Sequence, residues 1–455
     1  VVSEESTCKK KKEKKAWISK SHNVSLEEVN NSVSVPKNAG FLKKLLAFMG
    51  PGSLVAVGYV DPGNWATSIA GGARFGYALL SVILISNLIA MLLQTLSAKL
   101  GIATGKDLAQ ATRAAVGKKV ALFLWVLTEL AIIATDIAEV IGSAIALNLL
   151  FGIPLLAGVA ITTLDVLLLL LLQKKGFRII ESIVIVLMIT IFAIFIFEVA
   201  VSHPSVSAIL EGYLPHTEIA TNPQMLFIAL GILGATVMPH NLYLHSSLVQ
   251  TRKYERTKAG KKEAVKFAKI DSTFSLTVAF AINSLILILG SSAFFGKGLD
   301  VSEIEGAYRL LGPTLGTGLA STLFAVALLA SGQNSTITGT LSGQIVMEGF
   351  IHLRMKPWLR RMITRLLAVI PVFIVTLIAG EKGTGSLLLW SQVILSLQLP
   401  FAVVPLVLFT SDKKKMGEFA NTFSVKMLAW LATLVIVALN IFLLCYIILT
   451  GQDLG

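Results

Sequence analysis

From Phe48 onward the chain is apolar for about 20 residues at a time, each run closed by a short polar or basic stretch, a length matching a helix across lipid. Eleven such runs predict membrane segments at 48–69, 77–98, 120–150, 154–173, 179–201, 225–250, 272–296, 312–348, 362–379, 386–409 and 424–449. A membrane β-barrel would instead show short segments of alternating apolar and polar residues. The pattern therefore predicts an all-α integral membrane bundle. Residues 1–44, with the run KKKKEKK at 9–15 among scattered Ser and Asn, read as a basic, solvated and largely disordered tail. It contains no apolar stretch of the signal-peptide kind.

Two of the segments are interrupted where an uninterrupted helix would be expected. Segment 1 carries VDPGN at 60–64, and segment 6 carries GATVMPHNLYLHSS at 234–247. Proline removes a backbone donor and glycine relaxes the helix, so both sites should free carbonyl groups at membrane depth. Lipid tolerates this only where the backbone is buried in protein or lines a polar cavity. The blander alternative is a kink in a packing helix, but Asp61 is ionisable at that depth and marks a functional site. Laying Pro62 on Pro239, an offset of 177 residues, also superposes Asn64 on Asn241 and Gly58 on Ala235. Segments 1–5 start on one side of the membrane and segments 6–10 on the other, so this repeat is inverted. An inverted five-plus-five repeat whose first helices unwind at the midplane describes the LeuT-like transporter fold. The predicted divisions are 45–201 and 225–410 for the repeats, with 424–449 as an additional helix.

Composition supports the membrane assignment: 55% of residues are apolar, mean hydropathy is +0.77, and 14% are charged against about 25% in soluble domains. Of 39 Lys and Arg, 35 fall in six stretches on one side of the predicted topology. The positive-inside rule then puts the N-terminus in the cytoplasm and the C-terminus outside a cell membrane. The +13 net charge is thus topology rather than a nucleic-acid surface, since it is spread over six loops. Cys8 and Cys445 supply no disulfide framework. Neither a nucleotide-binding loop nor structural-zinc spacing occurs, so no enzyme and no cofactor are expected.

The two breaks offer a particular set of donors. Asp61 brings a carboxylate and Asn64 an amide oxygen three residues on; carbonyls near Ala56 to Tyr59 and at Ala235 add neutral oxygens, and Met238 adds a thioether. Hard Mg²⁺ and Ca²⁺ prefer oxygen alone, whereas Mn²⁺, Fe²⁺ and softer ions accept sulfur. A buried Met is ordinarily core filler; here it precedes a helix-breaking proline opposite an aspartate, which points to a transition metal. In segment 3, Asp136 and Glu139 share a face. Buried acids of this kind, with His240 near them, could relay protons. The alternative makes Asp136 and Glu139 structural partners of Arg360, Arg361 and Arg365. Glu129, Asp165, Glu181, Glu198, His245 and Glu348 read as structural. The GQNSTITGT run of segment 8 reads as close helix packing.

DPGN at 61–64, MPHNLYLH at 238–245 and ASGQNSTITGTLSGQIVMEGF at 330–350 resemble the signature stretches of the NRAMP family, and of its bacterial manganese-transporting, MntH-type members in particular. The resemblance spans 41–450. It implies proton-coupled import of Mn²⁺ or Fe²⁺, with Cd²⁺ and similar ions also accepted. The ligands it implies are Asp61, Asn64, the Ala235 carbonyl and Met238. A polar residue of segment 10 joins them, for which Gln392 is the candidate and Gln398 the rival. Positions matching His240 and Glu139 line a proton route in the family, with Asp136, Arg360 and Arg361 beside them. The implied partners are the metal ion, protons and the lipid bilayer, with no nucleic acid and no obligatory protein partner. Other readings are a symporter of organic solutes, an ion channel, and the family's magnesium-transporting branch; Met238 counts against the first and last, and the internal repeat against the channel.

Overall fold

The computed structural model describes residues 18–20, 25–27, 29–36, 39–164, 177–297, 304–315 and 318–450. The first membrane segment is built from three helices, α1 (Phe41–Phe48), α2 (Pro51–Gly58) and α3 (Pro62–Phe75), with a 45° bend between α1 and α2. The first repeat continues with α4 (Leu80–Thr104), the short α5 (Leu108–Ala115), α6 (Lys118–Phe151), α7 (Leu155–Thr162) and α8 (Phe177–Ser202). Two short helices, α9 (Val206–Gly212) and α10 (Glu218–Thr221), lead to the broken sixth segment, α11 (Pro223–Val237) and α12 (Pro239–Leu248). Then follow α13 (Lys258–Phe294), α14 (Ile304–Leu315), α15 (Gly318–Ile351), α16 (Pro357–Ser411), α17 (Lys413–Met416) and α18 (Phe423–Thr450). Helix α16 holds two predicted segments joined at Gly380, whose φ of 62° is open to glycine.

Among the described residues eight helices are long and apolar enough to cross a membrane, or nine if the bent pair α1 and α2 counts as one. The predicted eleven exceed this for two reasons. Half of segment 154–173, including Asp165, lies outside the described residues. Segment 312–348 corresponds mainly to α15, whose Gly, Ser, Thr, Gln and Asn make it too polar to be recognised alone.

Position in the bundle follows from composition. The most apolar window of the broken sixth segment is 100% buried, whereas that of α18 is 28% buried and that of the first half of α16 is 22% buried. The breaks therefore sit where protein surrounds the backbone, as lipid requires, and α18 turns Leu431, Leu434 and Phe442 outward. Helix α6 lies along both α15 and α16, α13 along α2, α3 and α4, and α11 against α16 and α3. Trp65 locks α3 to α8 and α15 through edge-on contacts with Phe195 and Phe324, centroids 4.7 and 5.2 Å away.

The tail departs from the expected solvated leader over its second half; residues 1–17 and 21–24 lie outside the described residues. Strand β1 (Ile18–Lys20) pairs antiparallel with Leu353–Met355, and β2 (Val33–Ser34) pairs parallel with Arg252–Lys253. Between them Ser25 Oγ donates to Asp107 (2.6 Å), the Leu26 N–H to Glu348 (2.9 Å) and the Asn31 N–H to the Gln250 carbonyl (3.0 Å). Hydrogen bonds and a few apolar anchors, buried Leu26 with Val29 and Val35, hold this stretch, and its mainly polar composition concealed it.

Close approach between α3 and α13 depends on Gly72: a Cβ there would lie 2.3 Å from the Leu287 carbonyl oxygen and 2.8 Å from the Ser291 nitrogen. Helix propensity alone favours Ala over Gly by about 1 kcal/mol. Overpacking against backbone costs about 1–3 kcal/mol and should win. Gly72→Ala should therefore lower the unfolding temperature of the purified protein in detergent.

Candidate functional site

The break in segment 1 spans Tyr59 to Asp61. Asp61 caps α3 and Pro62 occupies its first position, where a missing N–H costs nothing. Asp61 Oδ1 accepts from the Asn64 backbone N–H (2.9 Å) and from Asn64 Nδ2 (2.7 Å), while buried Oδ2 has no hydrogen-bond partner. The carbonyls released here are those of Tyr59 and Val60. Those of Ala56 and Val57, expected to be freed, instead accept from Tyr59 and Val60 in the last tight turns. Asn283 Nδ2 donates to the Tyr59 carbonyl (2.8 Å), and Trp65 Nε1 (3.1 Å) and the Ser331 hydroxyl both donate to that of Val60.

Segment 6 breaks at one residue. Met238 has φ 25° and ψ 106°, a conformation that L-residues rarely adopt, and Pro239 starts the next helix. Asn64 Nδ2 crosses to the Ala235 carbonyl (2.9 Å), joining the two breaks. The Met238 side chain packs with Ala131 and Leu395, and its sulfur accepts from Asn241 Nδ2 at 3.5 Å. Gln392 of α16 lies against both broken segments: its amide fills the space a Gly63 Cβ would need, and its carbonyl faces Gly234. Its Oε1 has no partner. Gln398, the rival, turns to Thr128 of α6 instead (3.2 Å). Asp61, Asn64 and Ala235 are thus joined by hydrogen bonds across the two breaks, Gln392 lies against both, and buried Met238 caps the second break. Among the described residues no three His, Cys, Asp or Glu cluster as a metal site; this set contains one such residue, Asp61.

A buried charge cluster lies between α6, α15 and α16. Arg361 donates to Asp136 and to Glu139 (2.6 Å), and Arg365 reaches Glu139 (3.5 Å) and the Asp136 carbonyl (3.3 Å). Ser335 (2.8 Å) and Thr336 (3.1 Å) of the GQNSTITGT run also donate to Glu139. Arg360, grouped with this cluster in the sequence reading, departs from it and pairs with Glu129 at 2.7 Å. Buried His240 has no partner at Nδ1, whereas His245 Nδ1 lies 3.0 Å from Gln94 Oε1, and Gln94 in turn donates to the Tyr59 hydroxyl (2.8 Å).

A second buried ionic cluster, not foreseen from the sequence, ties together the end of α1 and the start of α2. Arg252 donates to the Phe48 (2.9 Å) and Met49 (2.6 Å) carbonyls at the end of α1 and to Glu181 (2.7 Å). Asp271 accepts from the Gly52 N–H (2.7 Å) and the Gly50 N–H (3.3 Å), placing a carboxylate at the N-terminus of α2. Arg252 falls among the charges of the predicted loop after segment 6, and Asp271 lies one residue before the predicted segment 272–296. The one signal available was an acid and a base buried at segment ends, which needs partners to be meaningful.

The family described as Natural resistance-associated macrophage protein-like, Nramp, matches residues 52–446. The chain belongs to the Nramp family. Relatives in that family include a protein of Listeria welshimeri named divalent metal cation transporter MntH, 64% identical over 443 residues and covering 97% of this chain and 99% of its own length. Another of the same name, from Mesorhizobium japonicum, is 59% identical over 422 residues, covering 92% and 93%. Among solved structures, the Eremococcus coleocola manganese transporter is 47% identical with TM-score 0.87, covering 92% of this chain and 90% of that one. Mhp1, a nucleobase-cation-symport-1 family transporter, matches at 16% identity with TM-score 0.60, covering 87% and 91%, a likeness of fold alone. The Nramp chain is thus a multi-pass membrane protein with a LeuT-like fold.

In this Nramp chain Arg361 and Arg365 together face two buried acids, Asp136 and Glu139. Removing one member of a buried ionic group leaves uncompensated charge, at a cost of about 3–5 kcal/mol. Arg361→Leu should therefore destabilise the protein strongly in thermal unfolding, and adding Asp136→Asn, which leaves Glu139 paired with Arg365, should recover part of the loss.

Proposed function

We propose that the protein imports divalent transition-metal ions, Mn²⁺ and Fe²⁺ foremost, in symport with protons by alternating access across the cell membrane, its N-terminus cytoplasmic. What supports this reading is a buried carboxylate, Asp61, at one helix break and a buried thioether, Met238, at the other, with the two breaks joined by Asn64. Asp61 supplies the only formal charge to the dication, and its unpartnered Oδ2 is a donor in waiting. Asn64, the Ala235 carbonyl and Gln392 contribute neutral oxygens, and Met238 contributes the sulfur that disfavours Mg²⁺ and Ca²⁺. The name divalent metal cation transporter, borne by the relatives, accords with this donor set.

Protons released or taken up with the metal travel through the acids of α6. Asp136 and Glu139 sit beside Arg361 and Arg365, so their charges are held in a dry interior by a fixed countercharge. His240, one helix position past Pro239, provides a neutral group between them and the metal locus. Arg361 lies beside both acids of this route, while Arg360 pairs with Glu129 instead. The Arg252, Glu181 and Asp271 clamp supports a state whose cytoplasmic side is closed.

Asp61→Ala should abolish Mn²⁺ uptake into proteoliposomes while the protein still elutes as a folded species, since the neutral donors left behind do not offset the desolvation of a dication. Near-wild-type Mn²⁺ affinity in a folded variant would remove the site from consideration. Met238→Ala should cost Cd²⁺ about tenfold or more in affinity, cost Mn²⁺ less, and let Ca²⁺ and Mg²⁺ compete better. Parallel titrations of the four ions check this, and an unchanged competition profile would leave Met238 as core packing. With a pH dye inside the vesicles, His240→Ala should reduce acidification per metal ion carried; normal acidification at matched metal flux would move the proton route elsewhere.

A further inference from the structure

Asn64 and Asn241 occupy equivalent places in the inverted repeat, and they make equivalent contacts. Asn64, third residue of α3, donates to the side chain of its own helix cap, Asp61, and to the Ala235 carbonyl of the opposite broken helix α11. Asn241, third residue of α12, donates to the side chain of its own helix cap, Met238, and to the Val55 carbonyl of the opposite broken helix α2, each at 3.5 Å. Helices α3 and α11 are the outer halves of the two broken segments in the predicted topology, and α2 and α12 are the inner halves. Gly58 makes the second contact possible: a Cβ there would lie 2.3 Å from Asn241 Nδ2. The amide is thus seated directly on α2, in a site from which any side chain at 58 would displace it.

We propose that Asn241 is a positioning residue that clasps the two inner half-helices and, with the same amide, aims the Met238 sulfur at the metal, so that inward opening and the loss of the soft ligand are one event. Its place beside the ligands gives it no ligand role. The two N–H groups of one amide serve the α2 backbone and the thioether together, so withdrawal of α2 from α12 removes the Val55 carbonyl that fixes the direction of the amide and, through it, of the sulfur. The first clasp, through Asn64, holds the outer halves and the carboxylate in the same manner. Metal release toward the cytoplasm would begin with the sulfur, whose hold depends on the inner halves staying together. This rests on the metal-transport reading above, and its test separates the two.

The test measures Mn²⁺ and Cd²⁺ affinities of the purified full chain in wild type, Asn241→Ala, Asn241→Leu, Met238→Ala and the Asn241→Ala/Met238→Ala pair. Leu keeps most of the volume and removes the donors, which separates hydrogen bonding from packing. Both Asn241 variants should lower the Cd²⁺ to Mn²⁺ affinity ratio by about fivefold, the worth of one hydrogen bond. In the Met238→Ala background Asn241→Ala should leave the ratio unchanged, because the sulfur it aims is gone. A second readout uses Ser53→Cys, with Cys8 and Cys445 replaced by Ser. Ser53 is buried on α2, 3.1 Å from Ser275 of α13, and should react with a maleimide only when α2 moves away. Asn241→Leu should raise its labelling rate. Unchanged ratios together with unchanged labelling in folded variants, or an Asn241 effect on the ratio that persists without Met238, would overturn the clasp while leaving metal transport standing. If Met238→Ala and Asp61→Ala themselves leave both affinities intact, the metal reading falls first.

Discussion

A peptide group released from a helix at mid-membrane has no water to turn to, and the arrangement round the two breaks follows from that constraint. The Tyr59 and Val60 carbonyls are met by Asn283 of α13, Trp65 of α3 and Ser331 of α15, so three elements converge on one three-residue gap. The Ala235 carbonyl is met by Asn64 from across the gap. Side-chain oxygens around the breaks are less fully met: Asp61 Oδ2 and Gln392 Oε1 have no protein partner, and neither do Asn241 Oδ1 and Asn283 Oδ1.

Charge is handled by the same economy of partners. Glu139 takes Arg361, Arg365, Ser335 and Thr336 together, and Gly339 leaves room beside it, since a Cβ there would sit 3.2 Å from Glu139 Oε1. The small residues of α15 therefore do more than let helices approach, as the sequence suggested. They admit two arginines and two acids into a space that larger side chains would fill. The Arg252 and Asp271 cluster is built differently: the two bind backbone at the ends of α1 and α2, so they fix helix position rather than each other.

The broken helices were legible because Pro, Gly and Asp inside apolar runs violate the rule for lipid, and a violated rule carries information. Asp61, Asn64, Ala235 and Met238 could be gathered from the repeat alone. The choice of Gln392 over Gln398 could not, since six residues on a helix separate a glutamine facing the breaks from one facing Thr128, and no periodicity distinguishes them. Arg360 was misgrouped although the phase was available: Arg361 and Arg365 are four apart and share a face, while Arg360 is turned about 100° from Arg361. Arg252 and residues 25–36 were missed because polar loops look alike until their partners are known.

Helix α15 has a bearing on how the chain enters the membrane in the first place. Its Gln, Asn, Ser and Thr residues make it a poor candidate for insertion on its own, and its hydroxyls at Ser331 and Ser335 find acceptors on segments synthesised earlier, Val60 and Glu139. The two acids of α6 wait longer, for their countercharges arrive only with α16, more than two hundred residues later in the chain. The first half of this protein therefore carries two acids whose buried countercharges come only from the second, so the cluster closes only when both halves are in place.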